Sequence, residues 1–230
     1  MPLKGILDTA RSLTYYARRQ EVTANNLANA NTDAFKADRI TARAIPGAEF
    51  PVPVQHTDLD QGTFRETGRP LDIALDGPGF FVVQTAQGER LTRGGSLKLD
   101  PAGRITDAHD NLVLGDGGPI LVQGGTLEVQ GDGTVMVDGA SAGRLRMVDP
   151  RDKSALLKEG FGRYVCKEPL APVEEGVTRV RQGAIEEANL DPLLSMVDLV
   201  AIQRAYTANV DALKAMDGVL GSIVNEVGKV

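Results

Sequence analysis

Apolar residues recur at alternating steps of three and four at both ends of the chain. Near the start the stripe runs through Leu3, Ile6, Ala10, Leu13, Ala17, Gln20, Ala24 and Leu27. Near the finish it runs through Leu199, Ile202, Tyr206, Asn209, Leu213, Met216, Leu220, Ile223 and Val227. This heptad spacing puts one side chain per turn on one side of a helix. A lone helix cannot bury such a stripe, so the pattern predicts that the two ends pair with each other or with neighbouring copies. One amide interrupts each stripe, Gln20 and Asn209. A polar residue at a seam weakens the interface but penalises wrong registers, and both amides are assigned a register-setting role.

Between the helices the period changes to two. Phe81 and Val83, Leu97 and Leu99, Leu112 and Leu114, Leu127 and Val129, Val135 and Val137, and Leu145 and Met147 form short alternations divided by glycine turns. That spacing predicts a compact antiparallel β domain, barrel or sandwich, ending near Arg181. The first helix is expected over 3–29, about seven turns. Its end is marked by Asn25, Asn26, Asn29 and Asn31, which compete for backbone hydrogen bonds and cap loose carbonyls. Phe35, Lys36 and Arg39 follow as extended chain, with Lys36, Arg39 and Arg43 on a solvated or subunit-facing edge. Three prolines in 46–53 read as a linker or edge segment. Asp191-Pro192 offers an N-cap and a first-turn proline for the last helix. The expected class is α+β: an N-terminal axial helix and turn over 1–36, an extended linker over 37–68, a central β domain over 69–182 and a C-terminal axial helix over 183–230.

Composition narrows the function. Hydrophobic residues make up 42% of 230, enough for a core, and the net charge of −6 argues against nucleic-acid binding. No apolar run approaches the roughly 20 residues of a membrane helix. The first residues lack the pattern of a cleaved secretory signal, so export with cleavage is not expected. The single cysteine, Cys166, is read as a packing residue, and no spacing suggests a metal site. Catalytic templates fail: His56 and His109 lie near no nucleophile motif, and Asp76-Gly77-Pro78-Gly79 and Gly131-Asp132-Gly133 read as turns. Asp72 reads as a turn or strand-end residue. No cofactor is expected.

Three segments are more specific. They are 24–36 (Ala-Asn-Asn-Leu-Ala-Asn through Phe35-Lys36), 67–81 (Arg69-Pro70-Leu71-Asp72 through Gly79-Phe80-Phe81) with Leu91-Thr92-Arg93-Gly94-Gly95, and 183–191 with Gln203-Arg204-Ala205-Tyr206. In this order the chain resembles the bacterial flagellar rod and hook proteins, over nearly its whole length. The Arg-Pro-Leu-Asp phrase and modest length are closer to the proximal than to the distal rod type. Two departures stand out. Ala34 replaces the usual glycine before Phe-Lys, which makes a positive-φ turn there less expected, and Leu91 replaces the usual aromatic before Thr-Arg.

The resemblance implies a non-enzymatic subunit of the basal-body rod, in the periplasm, exported without a cleaved signal. Its terminal helices would form a coiled-coil axial layer lining an export channel, with the β domain outside, in a helical array that transmits torque. Before assembly the helices would be partly disordered. The implied partners are copies of itself, other rod proteins, the export apparatus and ring bushing proteins, with no nucleic acid and no membrane insertion. The assembly residues are read as Leu13, Gln20, Asn25, Asn26, Leu27, Asn29, Ile202, Tyr206, Asn209, Leu213, Met216 and Leu220. Two competing readings are a wall-glycan-binding module on a coiled-coil stalk, using Phe80, Phe81, Phe161 and Tyr164, and a glycan hydrolase using Glu186 and Glu187. Neighbouring residues on one element do not face each other, which counts against the second.

Overall fold

The computed structural model describes residues 2–43, 52–174 and 176–227, apart from the side chains of 2–4 and 223–227. The chain is α+β: helix α1 (Pro2–Ala28), a central, mostly antiparallel β region, and helix α2 (Pro192–Val227). It divides into two compact units. One comprises the described residues of Met1–Ala30, Ala37–Asp58 and Leu190–Val230; the other comprises Asn31–Lys36 and Leu59–Asn189.

In the helical unit, α1 and α2 pack along each other in opposite directions, with Gly5 of α1 beside the Met216 sulfur of α2. Asp191 caps α2 as the Asp-Pro pair predicts: its Oδ1 accepts from the backbone N–H groups of Leu193 at 2.8 Å and Leu194 at 3.2 Å. At the other helix, Asn29 donates to the carbonyl of Asn25 at 2.9 Å, closing the last turn. Strands β1 (Asp38–Arg43) and β2 (Val52–Thr57) pair antiparallel and complete this unit. Of the prolines in 46–53, Pro46 and Pro51 lie outside the described residues, and Pro53 stands in β2 opposite Ala42.

The β unit is built around β5 (Phe80–Thr85), which pairs with β6 (Gly88–Thr92) on one side and with the strands Leu112–Gly115 and Met147–Asp149 on the other. Strand Arg163–Cys166 extends the sheet beyond β6, and Leu156–Gly160 extends it further. Alternation alone predicts one buried face for β5, but Phe80, Phe81, Val82 and Val83 are all buried. Phe81 and Val83 join a core with Ile73, Leu75, Ile105, Val135 and Leu145, while Phe80 and Val82 join a second with Leu91, Leu114, Val148 and Tyr164. A strand covered on both faces needs a continuous apolar run. Each such side chain contributes about 1.5–3 kcal/mol by leaving water. Leu91 thus keeps a core place where the family has an aromatic, opposite Tyr164 in the ladder. Leu99, read as an inward position, is exposed at a short two-residue strand.

Two small ladders fold the end of the β region back onto its beginning. Strand β3 (Phe64–Glu66) pairs with Ala184–Glu186, and β4 (Ile73–Asp76) pairs with Arg179–Gln182. Between them Gly95 fits tightly, with its carbonyl accepting from Ile73 N–H at 2.9 Å. A Cβ on Gly95 would stand 1.6 Å from the Ile73 carbonyl oxygen, whereas one on Gly94 would meet only the Thr92 hydroxyl at 3.3 Å. Gly95→Ala is therefore expected to destabilise the β unit by about 3 kcal/mol, and Gly94→Ala by less than about 1 kcal/mol, as read from urea denaturation midpoints. Equal losses from the two substitutions would show that the close approach at Gly95 does not matter.

Candidate functional site

Along the helix pair, the face of α1 that carries Ile6, Leu13, Gln20 and Leu27, all half-buried, holds Thr9 as its buried position, while Val22 is buried about 140° around the helix from it. Ala10 and Ala24, assigned to the stripe from spacing, are exposed. A straight helix turns by 3.6 residues rather than 3.5, so a strict heptad drifts around it and the covered face moves to neighbouring positions. Thr9 sits inward because its hydroxyl donates to the Gly5 carbonyl at 2.9 Å. On α2, Ile202 is buried, Leu199, Tyr206, Asn209, Leu213 and Leu220 are half-buried, and Met216 lies at the exposed margin. Leu3, Ile223 and Val227 have side chains outside the described residues. The Asn209 amide donates within its own helix, to Ala205 O at 2.8 Å.

The asparagines divide their work. Asn25 is exposed. Asn26 makes a two-way pair with the Asp38 backbone, donating to its carbonyl at 2.7 Å and accepting from its N–H at 2.9 Å, as a neighbouring strand would. It thereby anchors the start of β1, leaving Asn29 to close the helix.

A second stripe on α2 has no partner among the described residues. Leu193, Met196, Val197 and Val200 share the face about 140° around from Leu199, Ile202 and Tyr206, given 100° per residue. Leu193 is 69% exposed and Val197 60%. Four large apolar side chains side by side in water mark an interaction surface rather than ordinary scatter.

Within the β unit, the three specific segments converge on one buried ion cluster. Lys36, expected on a solvated or subunit-facing edge, is fully buried, and its Nζ donates to Glu186 Oε1 at 2.5 Å and to the Asp60 carbonyl at 2.6 Å. The correction has a local cause: Ala34 adopts φ 54°, the turn its replacement of glycine made less expected, and its N–H donates to the Glu186 carbonyl at 2.7 Å. The left-handed turn costs a non-glycine residue about 1–2 kcal/mol. It docks 34–36 against strand Ala184–Glu186, which drives Lys36 inward. Lys158 closes over this segment, donating to Lys36 O at 2.6 Å with its ammonium 4.1 Å from the Phe35 ring.

Arg93 supplies the second cation. Its Nε donates to Glu186 Oε2 at 2.8 Å, while its other nitrogens donate to the carbonyls of Leu75, Gly77 and Gly79 at 2.8–3.0 Å. Gly62 N–H adds a bond to Glu186 Oε1 at 2.9 Å. Glu187 turns the other way, toward Thr63 and Arg65 near the surface, so the two glutamates share no cleft. Beside Arg65, burial pushes the Asp33 carboxyl up, with Arg65 drawing it back and Asp72 and Glu187 adding to the rise. The folded chain then holds that proton more tightly than the unfolded one. This single group weakens the fold as pH rises from the ordinary aspartate value through the raised one.

Of the four aromatics assigned to glycan stacking, Phe80, Phe81 and Tyr164 are core residues and only Phe161 is exposed. Among the described residues no group of acidic, histidine or cysteine side chains could hold a metal, and no helix is long and apolar enough to cross a membrane.

Three domain models match the chain: a flagella basal body rod protein model over 8–36, a flagellar hook protein FlgE/F/G D1 domain over 74–137, and a flagellar basal body rod FlgEFG C-terminal domain over 181–226. Lys36, Arg93 and Glu186 fall one in each. Among similar proteins, the flagellar basal-body rod protein FlgF of Caulobacter vibrioides is 31% identical, with 93% of each chain covered. FlgF of Escherichia coli is 30% identical over 86% of this chain and 88% of its own, and the rod protein FlgG of Bacillus subtilis is 25% identical over 97% and 98%.

Proposed function

This chain belongs to the flagellar basal-body rod protein family, and on that premise we propose that it is a structural, non-enzymatic rod subunit of the FlgF type, with FlgG the next reading. The observation that carries the assembly role is the outer stripe of α2. After α1 and α2 close their inner faces on each other, Leu193, Met196, Val197 and Val200 remain exposed among the described residues, a surface suited to another chain.

In this reading the helix pairs of successive copies pack through that stripe into a coiled-coil axial layer around an export channel, in the periplasmic part of the basal body. The β units lie outside that layer. Each added copy buries more apolar surface, so no subunit turns without its neighbours, and the array transmits torque. The Gln20 and Asn209 amides are proposed to fix the register of the inner stripe that Leu13, Leu27, Leu213, Met216 and Leu220 form, and Asn25 to add a hydrogen bond between subunits. Other rod proteins, the export apparatus and ring bushings complete the set of partners.

The test is electron microscopy of basal bodies, with motility, in a strain lacking the gene and after complementation. Rods and hooks should be missing in the first and restored in the second. Complete rods in the deletion strain would overturn the assignment.

A further inference from the structure

The hairpin joining strands Leu156–Gly160 and Arg163–Cys166 carries an aromatic residue at its tip in a conformation that aromatic residues avoid. Phe161 has φ 53°, between Gly160 at φ 100° and Gly162 at φ 67°. For a bulky side chain this is a genuine outlier, and such strain persists at sites that use it. Positive φ at both Phe161 and Gly162 is the geometry that closes a two-residue hairpin, but the Phe161 ring itself is 68% exposed, so the side chain is not kept there for the core of the β unit. The ring is nonetheless held in place. His109 lies 4.8 Å from it, ring to ring, and the Arg163 guanidinium stands 5.2 Å from its centroid. The buried Arg163 Nε has no hydrogen-bond partner among the described residues. A braced, outward aromatic beside an arginine has the composition of an interface anchor, already ordered before contact.

The same unit holds a hole of matching size. A cavity of about 190 Å³ is lined by Asp132, Arg144, Met147, Val173, Glu174 and Thr178. A cavity of about 150 Å³ suffices to bind benzene in an apolar protein interior. Met147 and Val173 supply apolar wall. Among the described lining residues the Asp132 and Glu174 carboxylates outnumber the Arg144 guanidinium, complementary to Arg163. Asp132 stays ionised because Thr134 donates both its N–H and its hydroxyl to it, which holds the carboxyl below the usual range. Knob and hole are different patches, since strands β6 and β5 separate Arg163–Cys166 from Met147–Asp149 in the sheet.

We propose that Phe161 of one copy seats in the Met147–Val173 cavity of a second copy of this chain. The inference rests on the reading that copies stack in the rod, and adds a contact between β units to the helical one. Because knob and hole differ, the contact is head-to-tail and propagates as an open array rather than closing as a two-fold dimer.

The test places the photoreactive p-benzoylphenylalanine at position 161 and irradiates assembled basal bodies. A cross-linked species of twice the chain's mass, whose joined peptides contain position 161 and Met147 or Val173, is expected. A cross-link to a different protein or to other peptides, or no cross-link, overturns the proposal. Phe161→Gly provides the second arm. Glycine adopts φ 53° without strain, so this variant should resist urea at least as well as the parent chain. Co-expressed with the parent, it should be incorporated into rods about thirtyfold less, the loss expected for one anchor residue. Equal incorporation of the two chains also overturns the proposal. If deletion of the gene removes the rod but Phe161→Gly assembles normally, the contact fails while the rod assignment stands. Complete rods in the deletion strain would sink the assignment itself.

Discussion

Glu186→Gln is expected to destabilise the β unit by about 3–5 kcal/mol, the effect of leaving buried charge without its counter-ion. Glu186 and Lys36 have fully buried side chains and that of Arg93 is 5% exposed, so water cannot take over the lost compensation. The cluster holds two cations and one anion, which makes the anion the member it can least lose. Glutamine keeps the shape and one acceptor oxygen but no charge, and its amide would present donors toward the Lys36 and Arg93 donors. Lys36→Met should be milder, because the Arg93–Glu186 pair stays balanced and methionine fills the space of the buried stem. The check is urea denaturation of both variants, followed by the circular dichroism of the β unit. A Glu186→Gln midpoint within error of the parent, or a Lys36→Met loss as large as that of Glu186→Gln, would show that charge balance does not govern this core. Typical domains retain only about 5–15 kcal/mol in total, so the predicted loss is large enough to impair assembly indirectly.

Val197→Asp combined with Val200→Asp is expected to abolish rod assembly and motility while leaving the isolated chain as stable as the parent, within about 0.5 kcal/mol. Both side chains already stand in water, at 60% and 48% exposure, so carboxylates there cost the lone chain almost nothing. In an assembled seam the same carboxylates would be buried without partners, costing several kcal/mol and removing the apolar contact as well. Ile202→Asp is the contrasting substitution. Ile202 lies inside the helix pair, so its loss should lower the helical unit's own stability before any question of assembly arises. Motile cells carrying the double variant would show that the outer stripe is not an assembly surface. Leu213→Asp, on the inner stripe, should behave like Ile202→Asp in smaller measure because Leu213 is half-buried.

The difference between these substitutions marks where reading the sequence stopped. Heptad spacing located both helices and the inner stripe of α2, since helical periodicity is local and Asp191-Pro192 fixes where α2 begins. The outer stripe was present in the same residues. Leu193, Met196, Val197 and Val200 follow their own three-and-four rhythm, but spacing does not say which of two apolar faces the chain covers itself. The strands near Phe81, Leu112 and Val135 were legible from alternation. Of strand Arg163–Cys166 only the packing place of Cys166 was read, and strands Leu156–Gly160 and Arg179–Gln182 were not singled out, being mixed in polarity and fixed by their ladder partners.

The sequence by itself determined the helix–β–helix order, the α2 cap, the glycine-punctuated β region and the three specific segments that place the chain in its family. Those features are written in neighbouring residues, where backbone geometry and period act directly. Only the tertiary structure decided that Lys36 is buried, that Ala34 takes the left-handed turn and that the three segments meet at one carboxylate. Lys36 and Glu186 are 150 residues apart, and Arg93 and Glu186 are 93 apart. The free energy of a charge depends on whether distant strands exclude water from it and supply a partner. A lysine in a local window looks the same on a solvated edge as at the centre of an ion cluster, and only the fold distinguishes the two.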